Sequence, residues 1–200
     1  VYSNSSTKRI MKSVQIFLDT EFTGLNQNAQ LISLAMVAIT GEVFYAEFND
    51  FKSENINQWI RINVLTKLKF NHSDTYIKKE SGNWMMKADH QKIQEYLSEW
   101  LKQFELIEVW ADVMAYDWVL FSELFGGAMY TPDNLFFTPF DLSTLMRISG
   151  LINPQGKYQG DMSRAEFAGT DDSLQHNALN DAMTSMQCYK KLTDLWKNHF

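Results

Sequence analysis

Two carboxylates end an apolar segment near the start of the chain. The stretch IFLDTEFTGL (16–25) places Asp19 and Glu21 one residue apart, directly after Ile16-Phe17-Leu18. Alternate side chains of a strand share a face, so both acids are expected to point the same way. The apolar lead-in is typical of a buried strand whose end opens onto a crevice, and Thr23-Gly24 allows the backbone to pass close to a ligand. A solvated strand end is the simpler explanation for such a pair in isolation.

Further acids and a histidine stand far along the chain. Asp117 follows the segment LIEVWAD (106–112), and α/β sheets place their sites at the carboxyl ends of strands. A helix N-cap is the alternative role for Asp117, and Asp112 is a weaker candidate at the same strand exit. His176 precedes Asp181 by five residues in QHNALNDAM, which sets them about 140° apart in a regular helix. The two can face one site if His176 lies in the segment that leads into the helix.

Four carboxylates close together would be electrostatically unfavourable without a positive charge among them. Carboxylates within a few ångströms repel one another, which raises their pKa values. Hard divalent cations such as Mg²⁺ reverse this penalty because they prefer oxygen ligands. Two such ions about 3.5–4 Å apart can bind both oxygens of an in-line phosphoryl displacement. We therefore interpret four carboxylates as metal ligands: Asp19, Glu21, Asp117 and Asp181.

The elements that must position these residues indicate an α/β fold. Strands are predicted at 14–19, 31–40, 43–48, 106–112 and 134–140. Helices are predicted at 90–104, 117–126, 141–150 and 177–198. Residues 56–68 have helical apolar spacing, 71–89 form a polar, partly exposed stretch, and 152–169 form a loop. The order predicts a mixed five-stranded sheet flanked by helices.

One domain is expected over residues 11–200, with residues 1–10 as an N-terminal extension or a remnant of cloning. The 200 residues carry a net charge of −6, which argues against duplex binding through many phosphate contacts. There is no apolar run near the roughly 20 residues of a membrane span, and no signal-peptide core in the first ten residues. The single cysteine, Cys188, excludes an internal disulfide and is expected to be a buried small hydrophobe. A cytoplasmic protein is the expectation.

Three motifs carry a family resemblance. DTEFTGL, AYDW and HNALNDA, in this order, resemble the exonuclease motifs of the DEDDh branch of the DnaQ-like 3′–5′ exonucleases, which includes RNase T and oligoribonuclease. The histidine five residues before the aspartate distinguishes this branch from its sister branch, which has a tyrosine four before. The resemblance covers residues 14–48 and 106–190, and is strongest to small bacterial and phage exoribonucleases. Residues 50–89 contain no motif of the family.

The resemblance implies a ribonuclease H-like fold and a catalytic set. Asp19, Glu21, Asp117 and Asp181 would bind two Mg²⁺ or Mn²⁺ ions, and His176 would be the general base that takes a proton from the attacking water. The products would be nucleoside 5′-monophosphates from the 3′ ends of single-stranded RNA, with DNA as a second substrate. The acidity of the chain favours short oligonucleotides. Relatives that pair as dimers suggest a homodimer.

The first motif is also expected to hold the strand end. The resemblance implies that Glu21, Phe22 and Thr23 lie near the terminal sugar and that Leu25 wedges against the last base. Phe22 and Trp118 are candidate stacking platforms, since aromatic stacking of a base tolerates any sequence.

Other charges have structural explanations beside functional ones. Lys157 and Arg164 precede His176 and would either neutralise substrate phosphates or be solvated loop charges. Asp141 is expected to cap its helix, and Asp171 and Asp172 the last helix.

Two other functions are compatible with the sequence. One is a catalytically silent nucleic-acid-binding or scaffold module of the same fold. The other is a nucleotide phosphohydrolase that uses the same metals on small molecules.

Overall fold

Seven strands of the described residues form one mixed sheet in the computed structural model, which describes residues 12–70, 74–151 and 163–197. The strands are β1 (Ser13–Phe22), β2 (Leu31–Ala38), β3 (Val43–Phe48), β4 (Tyr76–Glu80), β5 (Asn83–Ala88), β6 (Leu106–Ala111) and β7 (Phe140–Asp141). Their order is β4-β5-β3-β2-β1-β6-β7. The expectations for residues 1–10 and Lys157 lie outside the described residues, as does most of the predicted loop 152–169.

The pairing of the strands is mixed. β1 pairs antiparallel with β2, β2 with β3, and β4 with β5, whereas β1 and β6, β3 and β5, and β6 and β7 are parallel. This confirms the predicted α/β class with a mixed, ribonuclease H-like sheet. The count differs, with seven strands where five are predicted.

The two additional strands come from one hairpin, and one predicted strand is shorter than expected. Residues 76–88, predicted as a polar stretch, form the hairpin β4–β5 at the sheet edge. β4 has little apolar alternation because it is half exposed, and its Lys79 lies over the ring of Trp84, 3.9 Å from the centroid. The predicted strand 134–140 shortens to the two residues of β7, apart from one isolated bridge between Ile107 and Leu135.

Six α-helices surround the sheet in the described part of the chain. They are α1 (Gln58–Asn63), α2 (His90–Leu101), α3 (Ala115–Leu124), α4 (Leu142–Ile148), α5 (Arg164–Ala168) and α6 (Ala178–Lys197). α5 occupies residues predicted as loop. None of the helices described combines the length and the hydropathy that a membrane crossing requires.

Helix caps decide where several of these helices begin. Asp141 accepts a hydrogen bond from the Thr144 N–H and caps α4, as predicted. The prediction for Asp171 and Asp172 was wrong: Asp171 caps a short 3₁₀ helix over 172–174, and Asp172 is the first residue of that helix. The sequence favoured both acids as caps of α6 because they precede it, and an acid before a helix has the same pattern whether the helix is a short 3₁₀ turn or a long α-helix.

The sheet is buried on both faces, and β1 shows how. Ile16 and Leu18 belong to the apolar cluster that includes α2 and α3 residues. Phe17 points to the other face and packs with Ala178 and Ala182 of α6. Because side chains alternate along a strand, Asp19 at the end of β1 follows Phe17 toward the α6 side.

Cys188 lies in a third apolar cluster formed by α4, α5 and α6. Burial raises the pKa of its thiol to about 11. The prediction of a buried small hydrophobe is confirmed.

Candidate active site

Three carboxylates meet where β1 ends against α6. Asp19 and Glu21 project from the α6 side of β1, and Asp181 lies in the first turn of α6. One carboxylate oxygen from each of the three lies within 4.8 Å of the others. The strand therefore delivers both acids to one helix end, as the alternation of its side chains requires.

Burial and mutual repulsion raise the pKa values of these three acids. Burial is the main cause that raises the pKa of Glu21 to about 8, followed by the charges of Asp181 and Asp117. The pKa of Asp19 lies well above its usual range for the same reasons. Burial raises the pKa of Asp181 to about 6, although it accepts hydrogen bonds from two backbone N–H groups.

The donor set fits a divalent cation. Oxygens bound to one ion lie at most about twice the metal–oxygen distance apart, which is roughly 4.2 Å for Mg²⁺ and roughly 5 Å for Ca²⁺. The three carboxylate oxygens lie within 4.8 Å of one another, a spacing that a bound ion would only slightly contract. Hard oxygen ligands with surplus negative charge are what such ions select.

Asp117 lies on α3 and contacts β1 at Thr20, between Asp19 and Glu21. It is the third residue of α3, not an N-cap, and it is buried. Its Oδ1 accepts hydrogen bonds from Thr20 N–H at 2.9 Å and Thr20 Oγ1 at 2.6 Å, and burial raises its pKa to about 6 despite them. It is not one of the three carboxylates whose oxygens converge, so its role as fourth ligand stays a prediction.

Asp112 is engaged elsewhere. Its two oxygens accept hydrogen bonds from Arg164 Nε at 2.8 Å and Arg164 Nη2 at 3.1 Å, and Ser143 Oγ donates a third at 2.6 Å. This pairing agrees with its rank as the weaker ligand candidate. Arg164 is thus held in an ion pair and is not a solvated loop charge.

His176 lies in the segment that leads into α6, where the prediction places it. Its backbone has φ of +64°, and its N–H donates a hydrogen bond of 2.8 Å to Asp181 Oδ2. Its ring meets the ring of Trp59 edge-on, with centroids 4.9 Å apart. Burial lowers the pKa of His176, and the charge of Lys67 lowers it further. The lowered pKa favours the neutral imidazole at neutral pH.

A cavity of about 480 Å³ opens beside the carboxylates. Its lining includes the predicted substrate residues Phe22 and Leu25, and Leu25 is 71% exposed. Thr23 does not line it, since its side chain is buried and accepts a hydrogen bond from Gln30 N–H. Trp118 does not line it either: its ring stacks on Phe121 against the apolar core.

Sequence reasoning missed two aromatic residues of this cavity. Trp59 of α1 is 54% exposed and lines the cavity beside His176. Tyr116 precedes Asp117, its ring lies 5.8 Å from that of Phe22, and its hydroxyl donates to the Leu25 carbonyl at 3.3 Å. Trp59 belongs to the helical apolar pattern of residues 56–68, which does not show that its side chain is exposed.

A second cavity, of about 470 Å³, adjoins the same centre. Asp19, Asp112, His176 and Asp181 line both cavities. The acidic cluster therefore stands at the junction of an aromatic cavity and a more polar one.

Known proteins share this fold. The catalytic unit of Neurospora crassa Pan2, solved as protease and nuclease domain, superposes with a TM-score of 0.55 at 16% identity, over 98% of this chain and 29% of that one. At this identity the likeness concerns the fold alone.

Sequence relatives give the family. The 3′–5′ exoribonucleases Rv2179c and MT2234.1 of two Mycobacterium tuberculosis strains are each 34% identical over 115 residues, which is 56% of this chain and 62% of the relative. The match thus spans less than two thirds of those relatives. The family model of the Rv2179c-like 3′–5′ exoribonuclease domain matches residues 14–193. The chain belongs to the family of Rv2179c-like 3′–5′ exoribonuclease domains.

Proposed function

We propose that this chain is a metal-dependent 3′–5′ exoribonuclease that releases nucleoside 5′-monophosphates from single-stranded RNA. The observation that carries the proposal is the convergence of Asp19, Glu21 and Asp181 within 4.8 Å beside a neutral His176. The family and the names of the two mycobacterial relatives support the reaction and the RNA substrate.

The carboxylates Asp19, Glu21 and Asp181, with Asp117, would hold two Mg²⁺ or Mn²⁺ ions. Bound ions would supply positive charge to the attacking and leaving oxygens of an in-line displacement. Asp117 would be oriented for this by its two hydrogen bonds from Thr20.

His176 is the proposed general base. A neutral imidazole accepts a proton from the attacking water, and a positioned base of this kind contributes roughly a hundredfold or more to a rate. The edge-on contact with the Trp59 ring limits the directions in which the imidazole can turn.

The aromatic cavity is the proposed site of the terminal nucleoside. Phe22, Leu25 and Trp59 line it with exposed or half-exposed apolar surface. Stacking on such surface contributes roughly 1–3 kcal/mol per base without sequence preference. Trp59 takes the platform role that sequence assigned to Trp118.

Short substrates suit the charge around the site. The net charge is −6, Arg164 is paired with Asp112, and Lys67 donates to a backbone carbonyl. Arg164 and Lys67 are thus engaged within the protein, and the surplus negative charge disfavours binding along a long phosphate backbone. A DNA substrate and a homodimer gain no support from the relatives and stay predictions.

Digestion of 5′-labelled single-stranded RNA with Mg²⁺ tests the proposal, with DNA of the same sequence in parallel. We expect a ladder that shortens from the 3′ end, nucleoside 5′-monophosphates as products, and no ladder with Asp181→Asn. Internal cuts or uncut RNA would contradict the proposal. Hydrolysis of nucleotide esters alone would favour the small-molecule phosphohydrolase.

A further inference from the structure

The segment 57–70 forms one wall of the aromatic cavity although it contains no exonuclease motif. Ile60 and Val64 are buried against Ile32 of β2, which fixes α1 to the sheet. Trp59 on the same helix meets the ring of His176. The wall is therefore packed against the sheet and contacts the proposed base.

Lys67, at the end of this wall, makes hydrogen bonds on both sides of His176. Its Nζ donates to the Ser173 carbonyl at 2.8 Å. Its own carbonyl accepts from Asn177 Nδ2 at 2.7 Å. Asn177 is 2% exposed, and its Oδ1 accepts from the Asn180 N–H in the first turn of α6. The chain is thus tied to Lys67 three residues before and one residue after His176.

A buried carboxylate holds Lys67 in place from the core. Glu47 of β3 is fully buried, and its Oε1 accepts from the Lys69 N–H at 2.6 Å and the Phe70 N–H at 3.2 Å. Its Oε2 has no hydrogen-bond partner among the described residues and lies 3.8 Å from Lys87 Nζ. Lys87 Nζ donates to the Phe70 carbonyl. A buried carboxylate is costly unless it is paired. Movement of the backbone after Lys67 would leave Glu47 with the Tyr45 hydroxyl, which donates to Oε1 at 2.7 Å, and the Lys87 ammonium as its partners, so this carboxylate favours the observed position of the backbone.

His176 needs such support. Its φ of +64° is a conformation that residues with side chains rarely adopt, and it persists only where the surroundings hold it. The same conformation directs the His176 N–H to Asp181 Oδ2.

We propose that Lys67, anchored through Glu47, is a positioning residue for His176. It holds residues 173–177 in the conformation that sets the imidazole beside Asp181. The kinetic consequence rests on the proposed function, in which His176 is the base.

Three variants separate positioning from charge. Lys67→Met removes the bond to Ser173 and the charge that lowers the pKa of His176, Lys67→Arg keeps both, and Lys69→Met is the control for loss of a positive charge two residues away. Measurement at about pH 8.5, where an imidazole is neutral with or without the Lys67 charge, removes the charge effect on the protonation of His176. Lys67 and Lys69 are both exposed, so all three are expected to fold. With single-stranded RNA we expect Lys67→Met to lower kcat about tenfold or more, because small misplacements of a catalytic group are costly. KM and Mn²⁺ affinity stay unchanged, and the other two variants keep kcat.

A second readout does not depend on activity. Exchange of the His176 amide, followed by NMR in EDTA, should speed up in Lys67→Met and not in Lys69→Met, while the Leu34 amide in β2 stays protected in both. If the unchanged protein releases no nucleotides, the proposed function fails and amide exchange alone decides the positioning claim. Unchanged protection of His176 in Lys67→Met would overturn the inference. So would a raised KM with unchanged kcat, which would make Lys67 a phosphate contact.

Discussion

The backbone N–H of His176 donates a hydrogen bond of 2.8 Å to Asp181 Oδ2, which joins the candidate base to a candidate metal ligand. Five residues apart on a regular helix, the two would face about 140° away from each other. The left-handed backbone of His176 removes this conflict because it precedes the helix and turns back toward it. The five-residue spacing of the third motif is therefore compatible with one shared site.

Removal of the imidazole should separate catalysis from metal binding. We expect His176→Ala to lower kcat roughly a hundredfold or more and to keep Mn²⁺ affinity, since the backbone N–H that orients Asp181 remains. Steady-state kinetics and calorimetry measure the two effects. His90→Ala is the control, because the His90 ring contacts Phe48 and Asp50 instead. Equal kcat in the two variants would remove His176 from the mechanism.

Neutralisation of Asp181 should weaken metal binding and stabilise the metal-free fold. We expect Asp181→Asn to weaken Mn²⁺ binding more than about a hundredfold, since changes behind metal ligands already cost roughly 10–100-fold. In EDTA the variant should melt higher than the unchanged protein, because one of several repelling carboxylates is gone. Asp194→Asn is the control on the exposed part of the same helix. Unchanged Mn²⁺ affinity in Asp181→Asn would count against the cluster as a metal site.

The metal-free protein should lose stability as pH rises. Folding raises the pKa of Glu21 from 4.5 to about 8, mainly through burial, so the folded state binds more protons than the unfolded state between these values. The free energy of unfolding must then fall across that window. His176 acts in the opposite direction, since folding lowers its pKa, but it does so equally with and without Glu21.

Urea unfolding in EDTA at several pH values measures this effect. Glu21→Gln should show a smaller fall between about pH 4 and 8 than the unchanged protein, because Gln does not titrate. Equal slopes would mean that Glu21 ionises in the folded state as it does in water.

Val113 carries strain at the exit of β6. Its φ is +53°, which is unfavourable for a β-branched residue, and its side chain is 64% exposed beside the aromatic cavity. Asn adopts this conformation more easily, so Val113→Asn should stabilise the fold by about 1 kcal/mol. Thermal unfolding would detect this as a rise in Tm of about 2–4 °C.

Val119→Asn is the matched control for this substitution. Val119 is 55% exposed on α3, where Val and Asn have similar helix propensity. A stabilisation of the same size in both variants would show that strain at Val113 is not the cause.

The sequence predicted those parts of the site that depend on local pattern. Alternation along β1 was enough to place Asp19 and Glu21 on one face, and the apolar stripe of α6 placed Asp181 near a helix start. The contact between Trp59 and His176 joins residues far apart in the chain, and no periodicity reports such packing.

Tyr116 lines the aromatic cavity and Trp118 does not, for a local reason. α3 begins at Ala115, not at Asp117 as predicted. Two residues of a helix differ by about 200°, so Tyr116 and Trp118 cannot both face the cavity. The early start turns Tyr116 toward Phe22 and Trp118 into the core.

The central claim is that the carboxylates of β1 and α6 form a binding site for divalent cations. Diffraction from crystals soaked with Mn²⁺ and a nucleoside 5′-monophosphate tests it, since anomalous scattering locates the ions. We expect Mn²⁺ peaks bound by Asp19, Glu21 and Asp181, two of them about 3.5–4 Å apart, with the base of the nucleotide against Trp59. Saturating Mn²⁺ with no peak among these three side chains, or a peak only elsewhere on the molecule, would contradict the account.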